Sequence, residues 1–343
     1  MISVQISQPG KISLTNIPYP AIQPDEVLVK IRYVGFCGSD LNTWLGKNAL
    51  AKMPVIPGHE IGGVIEDVGE KVPAHLKPGI PCTVNPYTAC GSCSSCRNGR
   101  PNACRFNQTL GVQRDGAMRE YITVPWDKII ADADITPKDF PLVEPMSVGF
   151  HAVDRGKVTD TDTVMVLGCG MIGVGAVIRA ALRGARVIAV DIDDDKLTLA
   201  KQLGAMFTIN SQTENVHERL QTITNHSGPD VVIEAAGASA TYLMAINEAA
   251  FTGRVVCIGY TKSDIAFESK LIVQKELDIR GSRNAMPEDF RAVMEYLKRN
   301  TCPKEKLING IYPPEKACEA LENWKANPGR IFRLLIDFGS IIV

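Results

Sequence analysis

The hydrophobic rhythm of the chain changes twice along its length. The first third carries short apolar segments bounded by Gly and Pro, at Val27–Ile31, Gly63–Val68 and Glu120–Val124. This is the texture of a β-rich domain. From about Thr163 apolar runs alternate with amphipathic stretches, the runs falling at Thr163–Leu167, Arg186–Val190, Val231–Glu234, Val255–Ile258 and Leu277–Arg280. Continuous apolar strands separated by helices predict a doubly wound α/β domain, its parallel sheet covered on both faces. The first of those helices, Ile172–Leu182, has a small-residue face suited to packing closely on the sheet. After Gly281 come two isolated helices, Pro287–Lys298 and Pro313–Lys325, and a last apolar strand, Ile331–Ile336. A chain that leaves its first domain, builds a doubly wound unit and returns predicts a discontinuous two-domain arrangement with its active site in the cleft between them.

Composition agrees with two globular domains: 343 residues, 45% hydrophobic and 22% charged. A formal net charge of −1 without basic runs argues against nucleic-acid and membrane-surface partners. No apolar run is long enough to span a bilayer, and Met1–Gln5 does not open a secretory signal, so the expected location is the cytoplasm. In that reducing setting ten cysteines point to metal binding before disulfides.

The strand Val164–Leu167 runs directly into Gly168-Cys169-Gly170-Met171-Ile172-Gly173, placing a Gly-x-Gly-x-x-Gly pattern where a strand turns into a helix. Gly168 permits the tight turn, Gly170 lets backbone approach a pyrophosphate, and Gly173 lets the helix press on the strand. The helix N-terminus adds unpaired N–H groups and a positive dipole for the phosphates. Taken alone, three glycines also describe a flexible loop. A second strand ends at Asp191, about twenty residues on, where a carboxylate accepts ribose hydroxyls and repels a 2′-phosphate, so NAD is the predicted cofactor. Met171, Ile172, Ile192 and Lys196 complete the expected contacts around these positions, with Ala236 and Gly259 as small residues beside the nicotinamide half.

Cys90, Cys93, Cys96 and Cys104 are spaced closely enough for one loop to wrap a tetrahedral ion. Four thiolates close the shell, which makes a zinc ion here structural. An iron–sulfur cluster or two disulfides are the competing readings of the same spacing.

Two further segments, Cys37-Gly38-Ser39-Asp40 and Gly58-His59-Glu60, offer a thiolate and an imidazole with polar neighbours. Together with the four-cysteine loop and the glycine fingerprint, in this order, they give a chain that resembles the medium-chain, zinc-containing alcohol dehydrogenases. Within that family it is most similar to the polyol and sugar-acid branch. The resemblance covers essentially the whole chain. It implies a GroES-like catalytic domain over residues 1–147, with the structural-zinc loop at 85–105, a Rossmann cofactor domain over 148–284, and a return to the catalytic domain over 285–343. It also implies a catalytic zinc held by Cys37, His59 and Glu60, with Glu144 binding directly or through the zinc's water. Ethanol-type relatives have cysteine at that last position. Two zinc ions per chain, one catalytic and one structural, follow.

An open zinc site acts as a Lewis acid toward an alcohol oxygen and so favours loss of hydride to the nicotinamide. The resemblance puts Ser39 at the start of a proton relay, although the residue also reads as an ordinary turn serine. Asn42 stands where many members have histidine, and an amide does not titrate near neutrality. The relay then ends in water, in the cofactor ribose or at Glu144.

The stretches Gly281–Phe290 and Asn85–Cys90 resemble those of L-gulonate and L-galactonate 5-dehydrogenases. Arg283, followed by Asn284, offers a guanidinium to clamp a carboxylate, though it reads equally as the partner of a neighbouring acid or of the cofactor. Trp44 reads as pocket lining or as core. The expected reaction is NAD-dependent oxidation of the C5 hydroxyl of an L-hexonate. The alternatives are a polyol, a threonine-dehydrogenase-like substrate, and a non-catalytic nucleotide-binding relative. A homodimer or homotetramer is implied by the resemblance.

Overall fold

The computed structural model describes residues 1–261, 263–299 and 301–340. The chain divides into two compact units, one of Met1–Glu144 with Met286–Val343, the other of Pro145–Ala285. These bounds differ by a few residues from the domain limits expected at 147/148 and 284/285. Among the described residues no helix is long and apolar enough to cross a membrane.

The discontinuous unit starts with an antiparallel hairpin, β1 (Ile2–Gln8) and β2 (Lys11–Asn16). It continues through β3 (Glu26–Gly35), β4 (Glu60–Val68), β5 (Pro81–Val84), β6 (Tyr121–Pro125) and β7 (Ile129–Ala131). The other unit contributes β8 (Thr163–Leu167), β9 (Arg186–Asp191), β10 (Phe207–Asn210), β11 (Val231–Glu234), β12 (Arg254–Cys257) and β13 (Asp278–Gly281). On its return the chain adds β14 (Ile308–Tyr312) and β15 (Arg333–Asp337) to the first unit.

In the discontinuous unit the strands follow the order β14-β15-β3-β4-β5-β7, with β6 also pairing β3. The ten residues of β3 are long enough to pair β6 through their first half and β15 through their last three. Along its other edge β3 runs antiparallel to β4, setting Gly35 opposite Glu60. Val27, Val29 and Ile31 of β3 and Ile61 and Ile65 of β4 bury their side chains in one apolar core. That packing fixes the register which brings the end of β3 against the start of β4, since a one-residue slip would turn every side chain to the other face.

The second unit is a six-stranded parallel sheet in the order β10-β9-β8-β11-β12-β13. Alternate residues feed two cores: Val164, Val166, Val187 and Ile233 enter one, and Met165, Leu167, Ile188 and Val232 the other. This is why its strands read as unbroken apolar runs. The sequence predicts five of the six. Phe207–Asn210 was not among them because an edge strand half made of Thr and Asn shows no apolar run. The expected helix Pro313–Lys325 is a 3₁₀ turn at Pro314–Lys316, with Pro314 in the first turn where its missing N–H costs nothing, followed by an α-helix at Ala317–Ala326.

Candidate metal centre and cofactor site

Cys37, His59 and Glu60 come together because β3 ends just before the first and β4 begins at the last. One ligand atom from each lies within 4.8 Å of the others. Cys37 has extended backbone and caps the helix Gly38–Trp44, where its N–H donates to Asp40 Oδ2 at 2.8 Å. The other Asp40 oxygen accepts from Gly58 N at 3.4 Å. A single buried carboxylate thus ties the Cys37 turn to the residue before His59. Gly58 has φ +98°, and a Cβ there would meet Val34 at 2.6 Å, so only glycine fits. A Cβ on Gly35 would collide with the Glu60 carboxylate.

Behind Glu60 stands Arg333 of β15, with its Nε 2.9 Å from Glu60 Oε2 and Nη1 donating to Phe36 O at 2.6 Å. The Nε–Oε2 pair is close but misaligned. Neither Glu60 oxygen, nor His59 Nδ1, nor Ser39 Oγ makes a hydrogen bond, although all are buried. Burial acts hardest on Cys37 and would raise its pKa, but the charge and hydrogen bond of His59, helped by Arg333, lower it overall. Burial likewise opposes protonation of His59, yet the thiolate, with Glu144 and Asp40, holds its pKa well above the usual value. Glu60 is pushed well above the ordinary carboxylate range by burial, against the pull of Arg333.

A buried set with stranded acceptors and a shortage of positive charge fits a divalent cation. One sulfur, one nitrogen and one carboxylate suit zinc with a coordination position left open.

Glu144 occupies the first turn of the helix Val143–Gly156 and is buried. Its charge acts on both His59 and Glu60. It is not drawn into the 4.8 Å set, and Tyr87 donates its hydroxyl to Glu144 Oε1. Trp44 is a core residue, packed with Val4 and Ile6 in the apolar cluster and lying beneath Lys325 Nζ. Asn42 is exposed. Arg283 and Asn284 are half-buried residues of the other unit, and Asn284 is left-handed at φ +54°.

The four cysteines 90, 93, 96 and 104 also gather their sulfurs within 4.8 Å of one another. None of the four forms a disulfide. Their sulfurs receive backbone N–H bonds, from Cys90 and Phe106 to Cys104 and from Cys93 to Cys90, each at 3.3 Å. The Ser95 hydroxyl, with the N–H groups of Cys96 and Arg105, pulls the Cys93 pKa down to about 5. These donors favour the thiolate at Cys93, the form in which cysteine binds a metal, while burial and the neighbouring sulfurs push Cys96 up to about 11.

In the parallel unit the glycine fingerprint occupies the β8-to-helix turn. Gly168 has φ +89°, and a Cβ there would press on Ala236 at 2.9 Å, while a Cβ on Gly173 would collide with the Gly168 carbonyl. Gly170 caps the helix Met171–Leu182 without a side-chain bond, and a Cβ there would meet nothing within 4 Å. Open space over bare N–H groups suits a pyrophosphate. Asp191 at the end of β9 accepts from the N–H groups of Cys169 at 2.6 Å, Ile192 at 2.8 Å and Asp193 at 3.1 Å, which orients its carboxylate across the glycine turn. Ile192 is exposed, and the N–H of Lys196 is capped by Asp193 at 3.0 Å.

Sequence reasoning gave no role to Glu234. Fully buried, it accepts at Oε1 from Ala236 N, Gly237 N and the Thr241 hydroxyl, fixing the turn after β11. Gly259 must lack a side chain because a Cβ would strike this turn. Asp40, Tyr87 and Arg333 were also missed as site residues. Only Arg333 had a legible signal, a lone cation inside the apolar run Ile331–Ile336.

Comparison with known proteins agrees with this arrangement. Residues 23–134 match the alcohol dehydrogenase GroES-like domain and residues 172–299 the zinc-binding dehydrogenase domain. L-Galactonate-5-dehydrogenase of Escherichia coli (strain K12) is 31% identical over 94% of each chain. Sorbitol dehydrogenase of Bacillus subtilis (strain 168) is 33% identical over 91% of this chain and 90% of its own. An alcohol dehydrogenase from E. coli CFT073, crystallised with NADH, superposes with a TM-score of 0.90 at 29% identity, covering 98% of this chain and 99% of its own. A glycine-turn nucleotide site, a four-thiol loop and a buried sulfur–imidazole–carboxylate cluster on these two domains place the chain in the zinc-containing alcohol dehydrogenase family, in its polyol and sugar-acid branch.

Proposed function

We propose that this chain uses NAD to oxidise the C5 hydroxyl of an L-hexonate, such as L-gulonate or L-galactonate, to a keto acid, with one catalytic and one structural zinc. The acid-rich set at Cys37 carries the reading: Glu60 joins Cys37 and His59, and Glu144 stands beside them where ethanol-type enzymes have cysteine. Cys37, His59 and Glu60 would hold the catalytic ion, and Cys90, Cys93, Cys96 and Cys104 the structural one. Zinc, when bound, supplies Lewis acidity toward the alcohol oxygen. NAD, when bound, supplies the hydride acceptor.

The chain's own residues set the geometry. Asp40 fixes the Cys37 turn, and Arg333 holds Glu60. Gly168, Gly170 and Gly173, with Met171 and Ile172 at the helix start, seat the pyrophosphate, while Asp191, flanked by Ile192 and Lys196, takes the ribose hydroxyls. Ala236 and Gly259 leave room for the nicotinamide half. Ser39 Oγ, buried without a partner, takes the hydroxyl proton as it passes its own on to water, to the cofactor ribose or to Glu144, since exposed Asn42 cannot carry it. Arg283 and Asn284 are assigned to the carboxylate of the substrate. The enzyme is taken to work as a homo-oligomer in the reducing cytoplasm.

A panel of hexonates and polyols assayed with NAD and with NADP tests this. Turnover of L-hexonates with NAD is the expected result; activity on sorbitol or xylitol with none on any aldonate would replace the substrate with a neutral polyol. The sorbitol dehydrogenase relative makes that the second reading.

A further inference from the structure

Tyr87 lies against the acid beside the Cys37 cluster. The residue is 5% exposed and held from several sides. Its N–H donates to Asn85 Oδ1 at 3.1 Å, its ring meets Phe290 edge-on at 6.4 Å, and the preceding Pro86 carbonyl accepts from Leu110 N at 3.1 Å. A ring so confined cannot swing away. Its hydroxyl donates to Glu144 Oε1, and Glu144 in turn sits on a 14-residue helix. Cys37, His59 and Glu60 offer three ligand atoms around one point, and Glu144 is outside that set. A fourth protein ligand would close the coordination shell and leave no position for substrate.

We propose that Tyr87 is a positioning residue that holds Glu144 by one carboxylate oxygen, keeping it beside the metal as a hydrogen-bond acceptor and preventing it from becoming the fourth ligand. The inference rests on the metal site of the proposed function. A charge-assisted bond from a fixed phenol competes with the metal for the same oxygen, and removing it frees that oxygen.

The test replaces the catalytic metal by cobalt(II) in the wild type, Tyr87→Phe, Glu144→Gln and the double variant, with cobalt-loaded Cys37→Ser as the reference that isolates this site's bands. In Tyr87→Phe the cobalt d–d bands should shift and chelator extraction should slow about tenfold. Its kcat should fall by about ten- to a hundredfold, with KM changing far less. The double variant should return to the spectrum of Glu144→Gln, which shows that the shift passes through the carboxylate. A Tyr87→Phe enzyme with wild-type bands and extraction rate would overturn the proposal, whatever its activity, because a packing role moves neither. Should Tyr87→Phe fail to fold, Glu144→Gln reads the same bond from its other end: bands identical to wild type and unchanged extraction support a carboxylate outside the shell, and altered ligand-field bands overturn it. Failure of the metal-site reading looks different, since wild type and Cys37→Ser would then share one cobalt spectrum.

Discussion

Two clusters of side chains that could each hold a metal ion lie in the same unit and are assembled in opposite ways. The four-cysteine loop draws its ligands from fifteen consecutive residues, has one exposed sulfur-bearing residue at Cys90, and supplies its sulfurs with its own backbone N–H groups. The Cys37 cluster takes its ligands from the ends of two strands, buries nearly all of them, and leaves His59 Nδ1 and both Glu60 oxygens without a hydrogen bond. A cluster already satisfied by its backbone needs an ion only to close the loop. One with stranded acceptors is completed by a ligand, and by one that leaves a position for exchange. That is the difference between a structural and a catalytic metal site.

The largest expected effect separates the two. Cys37→Ser should cut turnover by about a thousandfold, the equivalent of several kcal/mol of lost Lewis-acid stabilisation, while the thermal midpoint stays near that of wild type. Cys93→Ser should do the reverse: the loop should become sensitive to protease and the midpoint should drop, each variant having lost one metal equivalent by elemental analysis. Wild-type turnover in Cys37→Ser, or two retained equivalents in Cys93→Ser, breaks the contrast.

Next comes the support behind the buried cluster. Arg333 is 3% exposed, paired with Glu60 and bonded to the Phe36 carbonyl, so at a pH high enough to ionise Glu60 the Arg333→Met variant leaves a buried carboxylate uncompensated. Loss of one partner of such a pair costs about 3–5 kcal/mol, which urea unfolding of the metal-free protein would register. A loss below about 1 kcal/mol would mean that Glu60 finds its compensation elsewhere.

The same contrast explains what the sequence disclosed. The four-cysteine loop and the glycine turn are legible because their chemistry is contiguous, and spacing alone says what they bind. Cys37 and His59 stand apart in sequence and are joined by the β3–β4 register and the Asp40 carboxylate, so a family resemblance was needed to pair them. Arg333 and Phe36 are 297 residues apart, and no local pattern couples them. Tyr87 and Asp40 act through hydrogen bonds made only after packing. The edge strand β10 escaped notice for a different reason: its four residues, Phe207-Thr208-Ile209-Asn210, alternate apolar and polar, and Asn210 is buried and hydrogen-bonded to Asp194, so the apolar run that marked its neighbours is missing.

Asp191 carries the contrast into the parallel unit, where a carboxylate satisfied by three backbone N–H groups is nevertheless assigned to a ligand. Oδ1 takes two of these bonds and Oδ2 one, so Oδ2 keeps a further lone pair for a ribose hydroxyl. Asp191→Ser should lower kcat/KM for NAD by about ten- to a hundredfold, the range of a hydrogen bond to a charged group, and should narrow the preference over NADP. An unchanged ratio between the two cofactors would show that the ribose is read by another residue.

The smallest effect on stability is expected two residues into the fingerprint, where neighbouring glycines have opposite reasons to exist. A Cβ at Gly173 meets the Gly168 carbonyl, so Gly173→Ala should destabilise the unit by about 1–3 kcal/mol, as overpacking does. A Cβ at Gly170 meets nothing, and its φ of −68° suits any residue. Gly170→Ala should therefore shift the unfolding free energy by only about 1 kcal/mol or less, the loss expected when an N-cap glycine becomes alanine. Its cost should fall on the ligand: with the fold intact, the calorimetric Kd for NAD should rise by about tenfold, or 1.4 kcal/mol, because the methyl occupies space left for the pyrophosphate. If Gly170→Ala binds NAD as tightly as wild type, the open space above the helix is not where the phosphates lie, and the glycine turn is explained by strand–helix packing alone.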